Sequence, residues 1–299
     1  MKARAAAGLW LGLVLGGAAV KAAPPPMPTG LATLTLDYAT PTDAALQARL
    51  VALDAELREK FGLGAEATAV GLLDLRTGRW AALRPDRIDY AASVPKIGIM
   101  LAWFALQPRA LAEGPSPEVR RDLGLMIKRS DNATAAAFSR SLGLAAIQEV
   151  LDAHGFYEAA RGGGIWVGKH YGQGSERRLD PVGGHSHAAT VRQLVRFYLL
   201  LEQGKLVSPA ASAVMREIFA APELAPVDDK FVRGLAGRPR EIRRKAGWWE
   251  AWVHDTAVIT GPDRHYILVA MTQGARGENY LVALAPAVDA LLAPEAAGK

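Results

Sequence analysis

The sequence predicts an α/β protein of the α+β type: an antiparallel sheet flanked by N- and C-terminal helices, joined to an all-helical lobe. Three observations carry this reading. Strand-like patterns cluster towards both ends of the chain, at 68–83 and 242–272, with helical periodicity between them. The run from Val94 to Leu106 holds one charge, Lys96, and is apolar on every side, so it reads as a buried helix. At 299 residues, half of them apolar, the chain is long enough to cover such a helix all round.

Residues 1–22 read as a signal peptide, with Lys2 and Arg4 as the basic start, Leu9 to Val20 as the apolar stretch and small residues around Ala22 for cleavage. The apolar stretch is too short to span a bilayer comfortably, so membrane contact is expected only through an uncleaved signal segment. A periplasmic or secreted protein is expected. The chain has no cysteine, hence no lipid-attachment thiol and no disulfide framework. Lys2, Arg4 and Lys21 leave with the signal, which reduces the formal charge from +5 to +2 (5 − 3). That is no argument for nucleic acid. Residues 23–40, rich in proline and small residues, read as a spacer.

The catalytic domain is expected over 41–294, with a sheet lobe from 41–90 and 241–294 and a helical lobe from 91–240. Thr42 is the expected cap of a helix whose Leu46, Leu50, Leu53, Leu57 and Phe61 share one face. Thr68 to Leu75 and Arg79 to Leu83 form a hairpin through Arg76-Thr77-Gly78. The central helix follows, with Pro95 in its first turn. Glu118 to Leu142 is helical but interrupted at Ser130-Asp131-Asn132, residue types that favour turns and caps. Leu144 to His154 gives a further helix. Residues 159–188 are glycine-rich without a period, and a loop this long in a compact domain is usually functional. Helices are expected from Thr190 and Ser208, irregular chain over 220–240, then strands at Ile242 to Trp249, Trp252 to Thr260 and His265 to Thr272. Leu281 to Leu292 is the closing helix.

Ser93 and Lys96 share a helical face at the mouth of the buried helix. Partial desolvation would lower the lysine pKa and let it act as a base on the hydroxyl; the alternative is an N-capping serine with a lysine that snorkels to solvent. Of nine serines, only Ser93 has a lysine three residues later, and Ser130-Asp131-Asn132 is the one Ser-Asp-Asn. Lys245-Ala246-Gly247 is weak alone, since Lys60-Phe61-Gly62 and Lys96-Ile97-Gly98 share its spacing, but it comes last and in strand-like sequence.

The three patterns, in this order over residues 42–293, resemble the class A β-lactamases and the related penicillin-binding proteins. The resemblance implies a β-lactamase/transpeptidase-like fold and an acyl transfer in which Ser93 is the nucleophile and neutral Lys96 its base. Ser130 would pass a proton to the leaving nitrogen. Asn132 would bind the substrate amide and hold Lys96, and Lys245 would supply charge for a substrate carboxylate. Gly247 would let an acyl chain lie close to the strand, and the N–H groups of Ser93 and Trp248 would form the oxyanion hole. Strand alternation points Trp248 and Trp249 to opposite sides, one expected in the core and one on a wall of the site.

The chain also departs from the family. Ala246 stands where a threonine or serine is usual, removing a charge-assisted bond to the substrate carboxylate worth roughly 1.5–3 kcal/mol. Arg243 or Arg244 are the candidates to compensate. The segment between Lys96 and Ser130 is short, which suggests an open site. The family's deacylating Glu-x-x-x-Asn is absent: Glu176, the one glutamate of the long loop, is followed four residues on by Asp180. Glu176, Tyr171 and His170 are the deacylation candidates; lacking a base typically costs about 10²–10⁴ in rate. His185-Ser186-His187 and His254-Asp255 lack a metal-site pattern, so neither metal nor cofactor is expected. A monomer acting on a small molecule, a β-lactam or a cell-wall peptide, is expected, with no nucleic-acid partner. A β-lactamase, a D-alanyl-D-alanine peptidase with slow deacylation, and a non-catalytic binding module all fit the sequence.

Overall fold

A computed structural model describes residues 30–107, 113–172, 174, 176–225, 227 and 229–293. The expected signal peptide and the start of the spacer lie outside the described residues. The main sheet is antiparallel, in the order β2-β1-β10-β9-β8. It consists of β1 (Thr68–Asp74), β2 (Trp80–Leu83), β8 (Glu241–Trp249), β9 (Trp252–Gly261) and β10 (Arg264–Gln273). Strand alternation divides its side chains between two cores. Val70 and Leu72 of β1 face α1 (Ala44–Phe61) and α9 (Gly277–Leu291), with Leu46, Leu50, Leu281 and Leu284. Ala69 and Leu73 face the other way, towards α6 (Val191–Glu202) and α2 (Lys96–Leu106). Burial on both faces explains why β1 reads as a continuous apolar run.

Helix α2 is enclosed, with Ile97, Ile99, Met100, Leu101 and Phe104 fully buried. Gly98 lets α5 (Leu144–Ala153) lie close: a Cβ there would sit 3.2 Å from Leu151. The interruption at 130–132 separates α3 (Pro117–Lys128) from α4 (Asn132–Leu142), and Asp131 caps α4 by accepting from Thr134 N at 2.7 Å. Beyond these lie α7 (Pro209–Ala220) and α8 (Lys230–Gly234), the latter inside the stretch expected to be irregular. Among the described residues no helix is long and apolar enough to cross a membrane.

Three features differ from the sequence reading. Asp43 rather than Thr42 caps α1, accepting from Leu46 N at 2.8 Å. The spacer gives way to the domain by residue 31: Leu31 and Leu36 are buried, and Gln203 donates to the Leu31 and Leu34 carbonyls at 2.7 and 2.6 Å. Within the lobe expected to be all helical, the long loop adds short strands. β3 (Ile88–Tyr90), β7 (His187–Thr190) and β6 (Trp166–Val167) form a second sheet, and β4 (Tyr157–Glu158) pairs with β5 (Gly163–Gly164). Strands of two to four residues are too short to show a period.

Candidate active site

Ser93 stands in a tight turn between β3 and α2. Val94 N donates to Ala91 O at 2.9 Å and Lys96 N to Ser93 O at 3.3 Å; the Ser93 N–H has no backbone partner among the described residues. The turn is held from both sides. Ala91 N donates to His187 O at 2.9 Å. His254 accepts at Nδ1 from Thr272 N (3.1 Å), so its proton lies on Nε2, which donates to Tyr90 O at 2.8 Å. Burial lowers the His254 pKa to about 4, consistent with this neutral, structural imidazole. Strand β8 presses on the same turn at Gly247, where a Cβ would lie 2.7 Å from Ala91 O and 3.3 Å from Ser93 N.

Lys96 is fully buried, and its Nζ points into the turn between α3 and α4. It donates to Ser130 O (2.6 Å), Asp131 O (3.3 Å) and Asn132 Oδ1 (2.7 Å), with Ser130 Oγ at 3.5 Å. The Tyr171 ring covers it, 4.4 Å from Nζ to the centroid. Burial lowers its pKa to about 7, with Asp131 opposing. Ser130 adopts φ 57, a left-handed conformation that costs a non-glycine residue about 1–2 kcal/mol. From the strand side, Lys245 Nζ donates to Ser130 Oγ at 2.8 Å and to Ala246 O at 2.6 Å. Burial and then the neighbouring Lys96 and Arg244 hold the Lys245 pKa well below that of a free lysine. Two amines thus converge on one hydroxyl, and Ser130 Oγ accepts from Lys245 while its own O–H stays available to donate.

Two cavities of about 540 and 450 Å³ meet at Ser93, Asn132 and Trp248. Ser130, Lys245, Ala246 and Gly247 line the smaller. Arg244 also lines it, but its guanidinium is engaged with Asp229 and, at 3.2 Å, with Asp255. Arg243 turns away to Glu202 at 3.0 Å. The cation that sequence reasoning missed is Lys230, 6% exposed, on the wall of the same cavity and paired with Asp229 at 2.5 Å. It lies in a short helix with no period to single it out. Trp248 and Trp249 correct the expectation that one is core: they are 65% and 55% exposed, because β8 is the sheet's edge strand.

The larger cavity receives the deacylation candidates unequally. Glu176 is exposed and lines neither cavity. His170 also lines neither, and its Nδ1 is 3.0 Å from Ser139 Oγ. Tyr171 lines the larger cavity, but its buried phenol donates to Ala92 O at 3.1 Å, and burial raises its pKa well above that of free tyrosine. A neutral phenol that donates is no base. His187, weighed in the sequence only as a metal ligand and set aside, stacks on Tyr171 with centroids 4.3 Å apart. Its Nδ1 is buried without a partner among the described residues, and burial, then Lys169, Lys96 and Arg177, push its pKa down to about 3. Glu250 is the one acid among the described residues lining this cavity. No group of His, Asp or Glu among the described residues could hold a metal. Ala92 and Glu250 of this cavity, with Ser130 and Lys230 of the other, all have positive φ, so backbone strain gathers around Ser93.

The chain was compared with known proteins. The model of the Beta-lactamase enzyme family matches residues 106–290, well over half of the chain, beginning just after Ser93 and Lys96. No curated protein matches by sequence. Among solved structures, a β-lactamase from Sphaerobacter thermophilus is 16% identical with a TM-score of 0.62, over 82% of this chain and 97% of that one. A β-lactamase from Chitinophaga pinensis is 14% identical, TM-score 0.62, over 80% of this chain and 99% of that one. PBP-A is 17% identical, TM-score 0.60, over 85% of this chain and 97% of that one. At such identities the structural likeness speaks for the fold, and the match over 106–290 speaks for descent: the chain belongs to the β-lactamase enzyme family.

Proposed function

We propose that the protein is an active-site serine hydrolase that opens a β-lactam amide through an acyl-enzyme on Ser93 and releases the acyl group slowly. The observation that carries this is the linked set Lys96–Ser130–Lys245 beside Ser93, where two cavities meet. An ammonium at Lys96 satisfies its acceptors with three N–H groups. With a pKa of about 7, the amine is neutral in much of the population at neutral pH. Two N–H groups then serve the 2.6 and 2.7 Å acceptors, and a lone pair is left for the Ser93 proton.

In this mechanism Ser93 Oγ bonds to the carbonyl carbon as its proton passes to Lys96 Nζ. The oxyanion is held by the N–H groups of Ser93 and Trp248, and losing one such donor typically costs about 2.7–4 kcal/mol. Collapse breaks the C–N bond. Ser130 gives its proton to the departing nitrogen and is reprotonated from Lys96. Lys245 and Lys230, on the wall of the smaller cavity, offer N–H donors to the substrate carboxylate where Ala246 offers no hydroxyl.

Slow deacylation is supported by the walls of the larger cavity, where Tyr171 is a donating phenol, the His187 imidazole is pushed to about 3, and the one acid among the described lining residues, Glu250, is exposed at the hairpin tip. Among the similar solved structures is an acyl-enzyme complex of a PBP-A variant with penicillin G. The test is the intact mass of the mature protein after adding benzylpenicillin, with Ser93→Ala as control. A penicilloyl adduct on the wild type alone, decaying about 10²–10⁴ times more slowly than with a general base in place, is expected. Fast decay with accumulating penicilloate would make it an efficient β-lactamase, and no adduct would overturn the acyl-enzyme.

A further inference from the structure

The larger cavity carries charge that the acyl-transfer chemistry does not use. Lys169 and Arg177 face each other across an antiparallel bridge of the long loop, and both line the cavity. Among the described residues neither side chain has an acidic partner or any other ion pair. His187 lines the same cavity, 4% exposed, with its Nδ1 lacking a partner among the described residues. A buried polar atom without a partner is destabilising, and a ligand group in the cavity would relieve it. Aromatic rings line the cavity as well: Tyr90 and Trp252 lie 6.3 Å apart between centroids, Trp249 pairs with Trp252 at the β8–β9 hairpin, and Tyr90 is 6.5 Å from the His187 ring. Glu250, at the tip of that hairpin, is exposed, and among the described residues it is the only acid that lines the cavity. The groups whose charge reaches His187 are Lys169, Lys96 and Arg177, all cations. The cavity therefore sets the cations Lys169 and Arg177 beside a cluster of aromatic rings.

We infer that this cavity is a subsite for a carboxylate on the acyl side of the substrate, held by Lys169 and Arg177 with an aryl or alkyl portion against Tyr90 and Trp252. The inference rests on the acyl-enzyme reading for its placement beside Ser93, and it narrows the substrate class to amides with an anionic acyl substituent. A matching ligand is carbenicillin, which is benzylpenicillin with a carboxylate on the side-chain α carbon. Ampicillin carries an ammonium there instead.

The experiment is isothermal titration calorimetry of the Ser93→Ala protein, where binding stays non-covalent, with carbenicillin, benzylpenicillin and ampicillin at low salt. Carbenicillin should bind about tenfold tighter than benzylpenicillin, with ampicillin weakest. The advantage should shrink as salt is raised and vanish in Ser93→Ala carrying Lys169→Gln and Arg177→Gln. The ratio is taken within each protein, so a loss common to all three ligands cancels, and a thermal melt reports whether the triple variant is folded. Equal affinities, ampicillin tightest, no binding, or an advantage that survives loss of both cations in a folded variant would each overturn the subsite. The acyl-enzyme reading is tested separately by benzylpenicillin adduct formation on the wild type. An adduct without carbenicillin preference sinks the subsite alone; preference without an adduct sinks the acyl-enzyme alone.

Discussion

In the proposed mechanism, Lys96 is the residue where burial becomes reactivity. Its hydrogen bonds all run to the 130–132 turn, and desolvation sets its pKa at about 7. The neutral form is the base, so the acylation rate should rise tenfold per pH unit below about 7 and level off above it. Stopped-flow acylation between pH 5 and 9 checks this, and Lys96→Arg, charged throughout, should leave no measurable rate. Gly247 offers a second test. A Cβ there meets Ala91 O at 2.7 Å, backbone that cannot turn aside. Gly247→Ala should therefore push β8 off the Ser93 turn and cut acylation by about 10²–10³, as loss of an oxyanion donor does. At this scale the sequence was legible where residue type and spacing coincide, as at Ser93, Lys96 and the 130–132 turn. It was illegible at Lys230, and at His187 it offered only a metal reading, since both reach the cavities through chain folding that no local spacing records.

The elements show the same division by length. Helices and strands of seven residues or more follow their periodicity closely: β9 and β10, at 10 residues each, lie within a residue or two of the expected strands. β3, β6 and β7 did not show, yet they tie the Ser93 turn to the long loop through the Ala91–His187 bond. The α3–α4 break was visible as a run of turn-forming residues, and its cap invites a test. Asp131 accepts from Thr134 N and Thr134 Oγ1, at 2.7 and 2.9 Å. Asp131→Ala should cost about 1 kcal/mol through loss of the cap, lowering Tm by about 2–4 °C in a domain of this size. Because the same turn supplies three acceptors to Lys96, acylation should fall with it, whereas Asp43→Ala, which uncaps α1 far from Ser93, should lower Tm alone.

On the scale of the whole molecule, two cores share one sheet, and the site lies where β8, at the sheet edge, meets the helical lobe. That architecture was readable because strands at both ends of the chain must meet around a helical middle. The cavities were not, since their walls come from β3, the long loop, the 130–132 turn, α8 and the β8–β9 hairpin together. The hairpin has an optical consequence. The chain has seven tryptophans. Three of them, Trp248, Trp249 and Trp252, line the larger cavity, and the first two are more than half exposed. Indoles that leave water for an apolar contact emit at shorter wavelength, so filling the cavity should shift the protein's intrinsic fluorescence to the blue without any added label. On the proposed acyl-enzyme reading, the protein would thus signal its own occupancy, and the persistence of the shift would time the release.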